Sequence, residues 1–189
     1  MATQKYKTLR RYEHPNHARL FTFSTYNRVR VLSRPRVAAL VLGATGRACV
    51  QHRWDVLAYV VMPDHVHLLA RPRENEPNAS KFLFAIKRPV SYQMKQMLQG
   101  SDAPLLDRLT VTTGRSPGFR LWQAGGGHDR NLTSPETILA SIEYIHANPV
   151  RAGLCPSPGD WAWSSYAQWM APGDPVPPGL PVIARDRVR

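Results

Sequence analysis

The pattern of apolar and polar positions predicts strands and helices in alternation along the first part of the chain. Residues Arg19–Tyr26 alternate and are rich in aromatic and threonine side chains, as in a strand with one buried face. Residues 37–52 carry apolar side chains at helical spacing. The run Val56–Met62 is apolar without interruption, which is typical of a strand buried on both faces. Pro63–Asp64 then interrupts the run, and His65–Arg71 resumes it as the second strand of a hairpin.

A polar, proline-bearing stretch at residues 73–78 predicts a loop before a second helix, which opens at Ser80. Pro89 lies inside this helix and predicts a kink or a break, because its ring removes a donor and crowds the preceding turn. Residues 100–118 predict a long irregular loop, a candidate for holding substrate. The apolar face of the helix consists of Phe82, Ile86, Val90 and Met94.

A third helix has the clearest start signals in the chain. Ser134 is suited to the N-cap, Pro135 to the first helical position and Glu136 to the first turn. We expect this helix to end near Asn148, because Pro149 disfavours helical geometry in the residue before it. Its apolar stripe is formed by Ile138, Ile142 and Ile145.

The remainder of the chain divides into an aromatic segment and a tail. Residues 160–166 are predicted to pack on the core rather than bind a ligand. From Ala171 the sequence is rich in proline and ends in arginines, which predicts a flexible basic tail. A chain of 189 residues suits one substantial core, so we expect one domain over residues 1–170 and a tail over residues 171–189.

Charge is the strongest global signal. The chain has 25 lysines and arginines against 13 acidic residues, a net charge of +12. This excess favours polyanionic partners, of which nucleic acid is the commonest. Several of the cations stand beside aromatic residues, as in proteins that hold unpaired bases. The predicted nucleic-acid-binding residues are Lys5, Lys7, Arg10, Arg11, Arg28, Arg30, Lys87 and Arg88.

Cysteine usage and hydropathy indicate the compartment. Cys49 and Cys155 are far apart and show neither a disulfide framework nor zinc-knuckle spacing. The N-terminus lacks an apolar leader segment, and no run is long enough to span a bilayer. We expect a cytoplasmic protein without a membrane partner.

His65 and His67 are the main candidates for metal chemistry. Two residues apart on a strand, their rings project to one side while Val66 points to the other. Such a pair is a two-ligand metal platform, but two hydrogen-bonded rings at a sheet edge would produce the same spacing. A third ligand must come from elsewhere in the chain.

Asn148 is a candidate for this third ligand, and Tyr144 lies on the same helix. At about 100° per residue, they share a flank of the third helix away from its isoleucine stripe. If this flank covers the histidine face of the sheet, the site contains two imidazoles, an amide oxygen and a phenol. A divalent ion held there could polarise a phosphate, and the phenol could attack it. Imidazole ligands by themselves suit zinc or another late transition ion better than magnesium.

Two motifs in order resemble a known family. Residues 59–69 (YVVMPDHVHLL) and 143–154 (EYIHANPVRAGL) are similar to those of the single-strand DNA transposases of the HUH type, and most like the REP-associated tyrosine transposases. The resemblance implies an α+β fold of ferredoxin-like or RRM-like type, an antiparallel sheet with helices packed on one face. It also implies Mg²⁺ or Mn²⁺ as cofactor, and cleavage of single-stranded DNA near hairpins.

Residue by residue, the resemblance makes His65 and His67 metal ligands, Tyr144 the nucleophile and Asn148 the ligand that completes the metal site. Residues 121–131 match the family's Trp-Gln stretch, but three glycines stand where aromatics are common. That departure concerns local DNA contacts rather than the chemistry. His128 and His146 are expected to be ordinary surface residues.

Three functions remain open from the sequence. The first is a transposase that nicks and rejoins single strands through a covalent phosphotyrosine, as a monomer or homodimer that joins the bacterial nucleoid when bound to DNA. The second is a regulator of the same fold that binds structured DNA or RNA without cutting. The third is a metal phosphoesterase that uses water, in which Tyr144 is structural.

Overall fold

The computed structural model describes residues 14, 17–75, 77–113, 116–125 and 127–188. Four of the predicted nucleic-acid-binding residues, Lys5, Lys7, Arg10 and Arg11, lie outside the described residues.

The strands and helices follow the chain in a mixed order. The strands are β1 (Ala18–Ser24), β2 (Trp54–Val61), β3 (His65–Pro72), β4 (Thr110–Thr113), β5 (Ser116–Phe119) and β6 (His128–Leu132). The helices are α1 (Pro35–His52), α2 (Ala79–Ser101), α3 (Ala103–Arg108), α4 (Pro135–Arg151) and α5 (Tyr166–Met170).

Four strands form an antiparallel sheet in the order β2-β3-β1-β6. The predicted hairpin of β2 and β3 is confirmed, and every residue of β2 is buried, as its apolar run predicts. Thr22 on β1 pairs with His67 on one side and His128 on the other. Residues directly opposite one another share a face of the sheet, so these three side chains lie in one row.

Helices cover both faces of the sheet. Phe21, Phe23, Val66 and Leu68 pack with α1 and α2 on one face. Leu69 and the isoleucine stripe of α4 lie in the core of the other face. The α+β class and the antiparallel sheet are confirmed, but packing on one face alone is not what the structure has. A strand such as β2, with apolar side chains on both faces, must have other elements packed against each face.

Two helices continue through prolines. Pro89 lies within α2, which is not split there, and Pro149 lies within α4, which extends to Arg151 rather than ending near Asn148. A proline removes one helical hydrogen bond, and the packing of buried neighbours offsets that loss. In α2 these neighbours are Ile86 and Val90, and in α4 Pro149 is itself buried.

Residues 100–118 are largely regular, contrary to the predicted irregular loop. The Asp102 side chain accepts a hydrogen bond from the Leu105 amide and starts α3. Leu105 and Leu109 are buried in the core, and the β4–β5 hairpin follows. Elements this short leave too few apolar positions for a periodic pattern to emerge.

The C-terminal segments cover the edge of β2. The aromatic segment packs as predicted: the Val61 amide donates to the Trp163 carbonyl, and the Ser165 amide donates to the Tyr59 carbonyl. Further along, the Ala184 amide donates to the Val56 carbonyl at 2.8 Å. Pro181 and Val188 are buried and Ile183 packs against the core, so residues 180–188 pack against the domain, which differs from the expected flexible tail. Among the described residues, no helix is both long and apolar enough to cross a membrane.

Candidate metal and nucleophile site

Strand β3 places His65 and His67 on the face of the sheet that α4 covers. Val66 between them is buried on the opposite face, with α1 and α2. The two imidazole rings lie 4.8 Å apart between centroids, with an interplanar angle of 90°. The alternation expected of a strand therefore holds, and both rings face one region.

Each of these imidazoles has a partner at its Nδ1 atom. His65 Nδ1 lies 2.7 Å from Asp64 Oδ1, and His67 Nδ1 lies 2.8 Å from Thr22 Oγ1. A histidine that binds a metal through Nε2 carries its proton on Nδ1 and donates it to such a partner. The Asp64 carboxylate can only accept, so it selects the tautomer in which His65 Nε2 is free to ligate a cation, and the Thr22 hydroxyl is compatible with the same tautomer at His67.

The electrostatics of this pair favour a neutral, metal-binding imidazole at His67. Burial, reinforced by the neighbouring His65 and Arg28, lowers the pKa of His67 to about 4. Partial burial acts to raise the pKa of Asp64, but its bond to His65 and the charge of Arg28 hold that pKa below its ordinary value. Asp64 is therefore a carboxylate at neutral pH and accepts a hydrogen bond from His65 Nδ1.

Tyr144 on α4 lies over this histidine pair. Its ring makes an edge contact with His67 at 5.6 Å between centroids and 77° between planes. The guanidinium of Arg151, two turns along the same helix, lies 5.3 Å from the Tyr144 ring centre. With 40% of its surface exposed, Tyr144 is open to a substrate and sits beside a cation.

Asn148 lies one turn after Tyr144. Its Nδ2 donates to the Tyr144 carbonyl at 2.6 Å. Because the amide nitrogen makes this bond, the side-chain oxygen is the atom left for a ligand. Two imidazole nitrogens and one amide oxygen would together be a donor set suited to a divalent cation with open positions.

In the part of the chain that the structure describes, no three histidines, cysteines or acidic residues converge as a metal cluster. The predicted third ligand, Asn148, would contribute a neutral oxygen.

A cleft of about 420 Å³ opens beside His67 and Tyr144. Sequence reasoning missed its polar wall, because that wall requires the pairing of β1 with β6, more than 100 residues apart. His128, expected to be an ordinary surface residue, faces this cleft across from Thr22. The remaining lining residues are Leu20, Arg130, Thr137, Ala140 and Ser141.

His146 is buried rather than a surface residue. Its Nε2 lies 2.9 Å from Ser165 Oγ, and its ring contacts Tyr166 edge-on. Burial lowers the pKa of His146 to about 4. The residue therefore ties α4 to the segment along β2 as a neutral side chain.

The predicted nucleic-acid-binding residues that the structure describes fall into two groups. Arg28 pairs with Asp64 at 3.4 Å, and Lys87 Nζ lies 4.8 Å from the Phe23 ring centre. Both line a cavity of about 180 Å³ that adjoins the cleft at Thr22 and His128. Arg30 is exposed after β1, whereas Arg88 projects from α2 on the other side of the sheet.

Gly127, the residue before β6, lies close to β1. Gly127 has a φ of +70°, and a Cβ atom there would overlap the carbonyl oxygen of Thr22. The preceding Trp122 donates its indole N–H to the Lys87 carbonyl and packs edge-on against Phe23. The Trp-Gln stretch thus anchors the loop, and the glycine lets it approach the strand beneath the site.

The chain is similar in sequence to known transposases. Residues 15–106 match the family described as "Transposase IS200 like". A curated Haemophilus influenzae protein named "Putative REP-associated tyrosine transposase" is 26% identical over 121 residues, 64% of this chain and 63% of that protein. The chain thus spans somewhat less than two thirds of that relative's length.

A solved structure of a REP-associated tyrosine transposase bound to a REP hairpin has a similar fold. The TM-score is 0.69 at 20% sequence identity, and the match covers 89% of this chain and 87% of that chain. At this level of identity the likeness concerns the fold.

Proposed function

From the match of residues 15–106 to the family described as IS200-like transposases, we propose that this protein cuts and rejoins single-stranded DNA beside hairpins. The nucleophile is Tyr144, and the product of cleavage is a covalent phosphotyrosine. The observation that carries the proposal is the edge contact of the Tyr144 phenol ring with His67, in an open cleft.

The exchange of bonds is balanced. The Tyr144 oxygen forms a bond to the phosphorus of the strand, and the bond from phosphorus to one sugar oxygen breaks. The phenol loses its proton and the departing sugar hydroxyl gains one. The reverse attack by a sugar hydroxyl rejoins a strand and releases the tyrosine, so no nucleotide cofactor is consumed.

Residues of this chain prepare the phenol and the phosphate. Positive charge near a phenol favours its attack on phosphorus. The Arg151 guanidinium lies 5.3 Å from the Tyr144 ring centre and adds such a charge to the surroundings of the ring. Arg130 lines the same cleft and is placed to hold phosphate oxygens through charge and hydrogen bonds.

The proposed cofactor is Mg²⁺ or Mn²⁺, bound by His65, His67 and Asn148. When bound, the cation supplies Lewis-acid polarisation of the phosphate and neutralises the charge that develops there. Thr22 and Asp64 orient the two imidazoles for this role through their Nδ1 atoms.

The proposed partner is single-stranded DNA that carries a hairpin. The net charge of +12 supports a polyanionic partner. Arg28 and Lys87 lie in the cavity next to the cleft, and a similar fold binds a REP hairpin. We therefore assign the strand beside the hairpin to the cleft, with Arg28 and Lys87 at its neighbouring phosphates.

The test is a covalent complex on a denaturing gel, after incubation with hairpin-flanked single-stranded DNA and Mn²⁺. Wild-type protein and a Tyr166→Phe control should form the complex, and Tyr144→Phe should bind DNA without forming it. His67→Ala should lose the complex through loss of the metal. Cleavage by Tyr144→Phe at the wild-type rate would identify a phosphoesterase that uses water and would overturn the proposal.

A further inference from the structure

The helical layer formed by α1 and α2 carries a second basic surface. It covers the face of the sheet opposite to His65 and His67. The two helices contain six lysines and arginines and no aspartate or glutamate. These cations are Arg36, Arg47, Lys81, Lys87, Arg88 and Lys95.

Two aromatic side chains stand out from this layer. Phe84 is 60% exposed and Tyr92 is 65% exposed, while α2 buries its opposite face in the core. At 1.5 Å per residue they lie roughly 12 Å apart along the helix. Between them, the Arg88 guanidinium lies 5.7 Å from the Phe84 ring centre. A cation is therefore placed between two solvent-facing rings.

A groove of about 760 Å³ runs beside these rings. It lies between α2 and the last residues of α1, Gln51 and His52. Lys81 lines one part of the groove, and Pro89 lies between the two aromatics. We call Lys81, Phe84, Arg88 and Tyr92 the α2 strip.

We propose that the α2 strip binds unpaired nucleotides of a single DNA strand, with bases stacked on Phe84 and Tyr92 and phosphates beside Lys81 and Arg88. Exposed aromatics interleaved with cations form the stacking platform that single strands require. The assignment to DNA rests on the proposed function. The strip itself is separate from the cleft and lies across the sheet from it.

The charge pattern favours this occupant over a second copy of the chain. A symmetric dimer through the α1–α2 layer would bring together two surfaces without an acidic residue in either helix. A double-stranded stem would satisfy the cations but leave both rings in water. Only an unpaired strand offers phosphates and base faces together.

The experiment measures binding of fluorescent oligo(dT), which forms no hairpin, by anisotropy. We expect Phe84→Ala and Tyr92→Ala each to weaken binding about fivefold or more. Met170→Ala, which truncates an equally exposed apolar side chain on α5, should bind like wild type. Lys81→Gln and Arg88→Gln should each make the negative slope of log association constant against log salt concentration less steep, by roughly 0.7.

A blunt hairpin without an unpaired strand is the second probe. Its affinity should be the same for wild type, Phe84→Ala and Tyr92→Ala. Unchanged oligo(dT) binding in both aromatic variants would overturn the proposal, as would an equal loss of affinity for the blunt hairpin. Binding of the strip to anionic lipid vesicles instead of oligo(dT) would also overturn it.

This measurement stays separate from the test of cleavage. Oligo(dT) binding requires no covalent complex, so the affinity of the α2 strip for a single strand can be measured even if the wild-type protein does not cut DNA. Conversely, Phe84→Ala and Tyr92→Ala should form the covalent complex on a minimal hairpin substrate at the wild-type level.

Discussion

At the residue scale, the two histidines differ in how tightly they are held. His67 is buried and bonded to Thr22 on the neighbouring strand, whereas His65 is bonded to Asp64 beside it in the chain. The motif of two histidines was visible in the sequence. Thr22 was not, because its role depends on the strand register that pairs it with a residue 45 positions away.

Thr22→Val tests this role. The substitution keeps the shape of the side chain but removes the oxygen that orients His67, so Mn²⁺ affinity should fall by roughly ten- to a hundredfold. Titration calorimetry with Mn²⁺ measures the change, and Thr110→Val at an exposed position serves as the control. Equal Mn²⁺ affinity in the two variants would show that Thr22 does not orient a metal ligand.

Gly127→Ala tests the close approach of the loop to β1. The added Cβ atom would overlap the Thr22 carbonyl, so the loop must move away from the site. We expect weaker DNA binding and slower formation of the covalent complex. Gly125→Ala is a matched control, since it shares the positive φ but has open space around its Cβ position. If the two variants behave alike, backbone strain alone accounts for the effect.

At the element scale, β6 is held to the sheet by a buried ion pair. The Arg19 and Asp129 side chains are each 2% exposed, and their closest atoms are 2.5 Å apart. β6 carries His128 and Arg130, which line the cleft. Its attachment to β1 therefore shapes the wall against which a strand would lie.

Asp129→Ala should leave Arg19 with a buried charge that has lost its main partner. We expect the free energy of unfolding to fall by about 3–5 kcal/mol, measured by urea denaturation. Glu74→Ala removes an exposed partner of Arg53 and should change the same quantity by less than about 1 kcal/mol. A similarly small effect at Asp129 would mean that the pair does not hold β6.

The limits of sequence reasoning also lie at this scale. Periodic spacing identified β1 and the long helices, because each has many positions that share one face, and an uninterrupted apolar run identified β2 and its continuation in β3. It missed α3 and the β4–β5 hairpin, which are too short to show a period. It also ended α4 too early, because the local preference before Pro149 is outweighed by burial that only the tertiary structure reveals.

At the scale of the whole molecule, the C-terminal segment covers the β2 edge of the sheet. Residues 163–165 and 183–184 bond along β2, which would otherwise present an open edge. Arg187 and Arg73 both pair with the buried Asp55. Proline-rich composition predicted a flexible tail because prolines disfavour helices and strands. A segment without regular secondary structure can nevertheless pack against the domain.

Removal of residues 171–189 should therefore destabilise the protein. The deletion exposes apolar surface beneath Val188 and Ile183 and removes the Arg187 partner of Asp55, so we expect a loss of about 3 kcal/mol in unfolding free energy. Urea denaturation of the shortened and full chains measures the difference. Equal stability would instead support the flexible tail expected from composition.

The central claim is that Tyr144 attacks a phosphate beside His65 and His67. The most direct measurement is mass spectrometry of the protein after reaction with hairpin-flanked single-stranded DNA and Mn²⁺, followed by nuclease and protease digestion. We expect a nucleotide mass on the peptide that contains Tyr144, at the tyrosine itself. DNA cleavage with the nucleotide on another residue, or with no modified peptide, would contradict it.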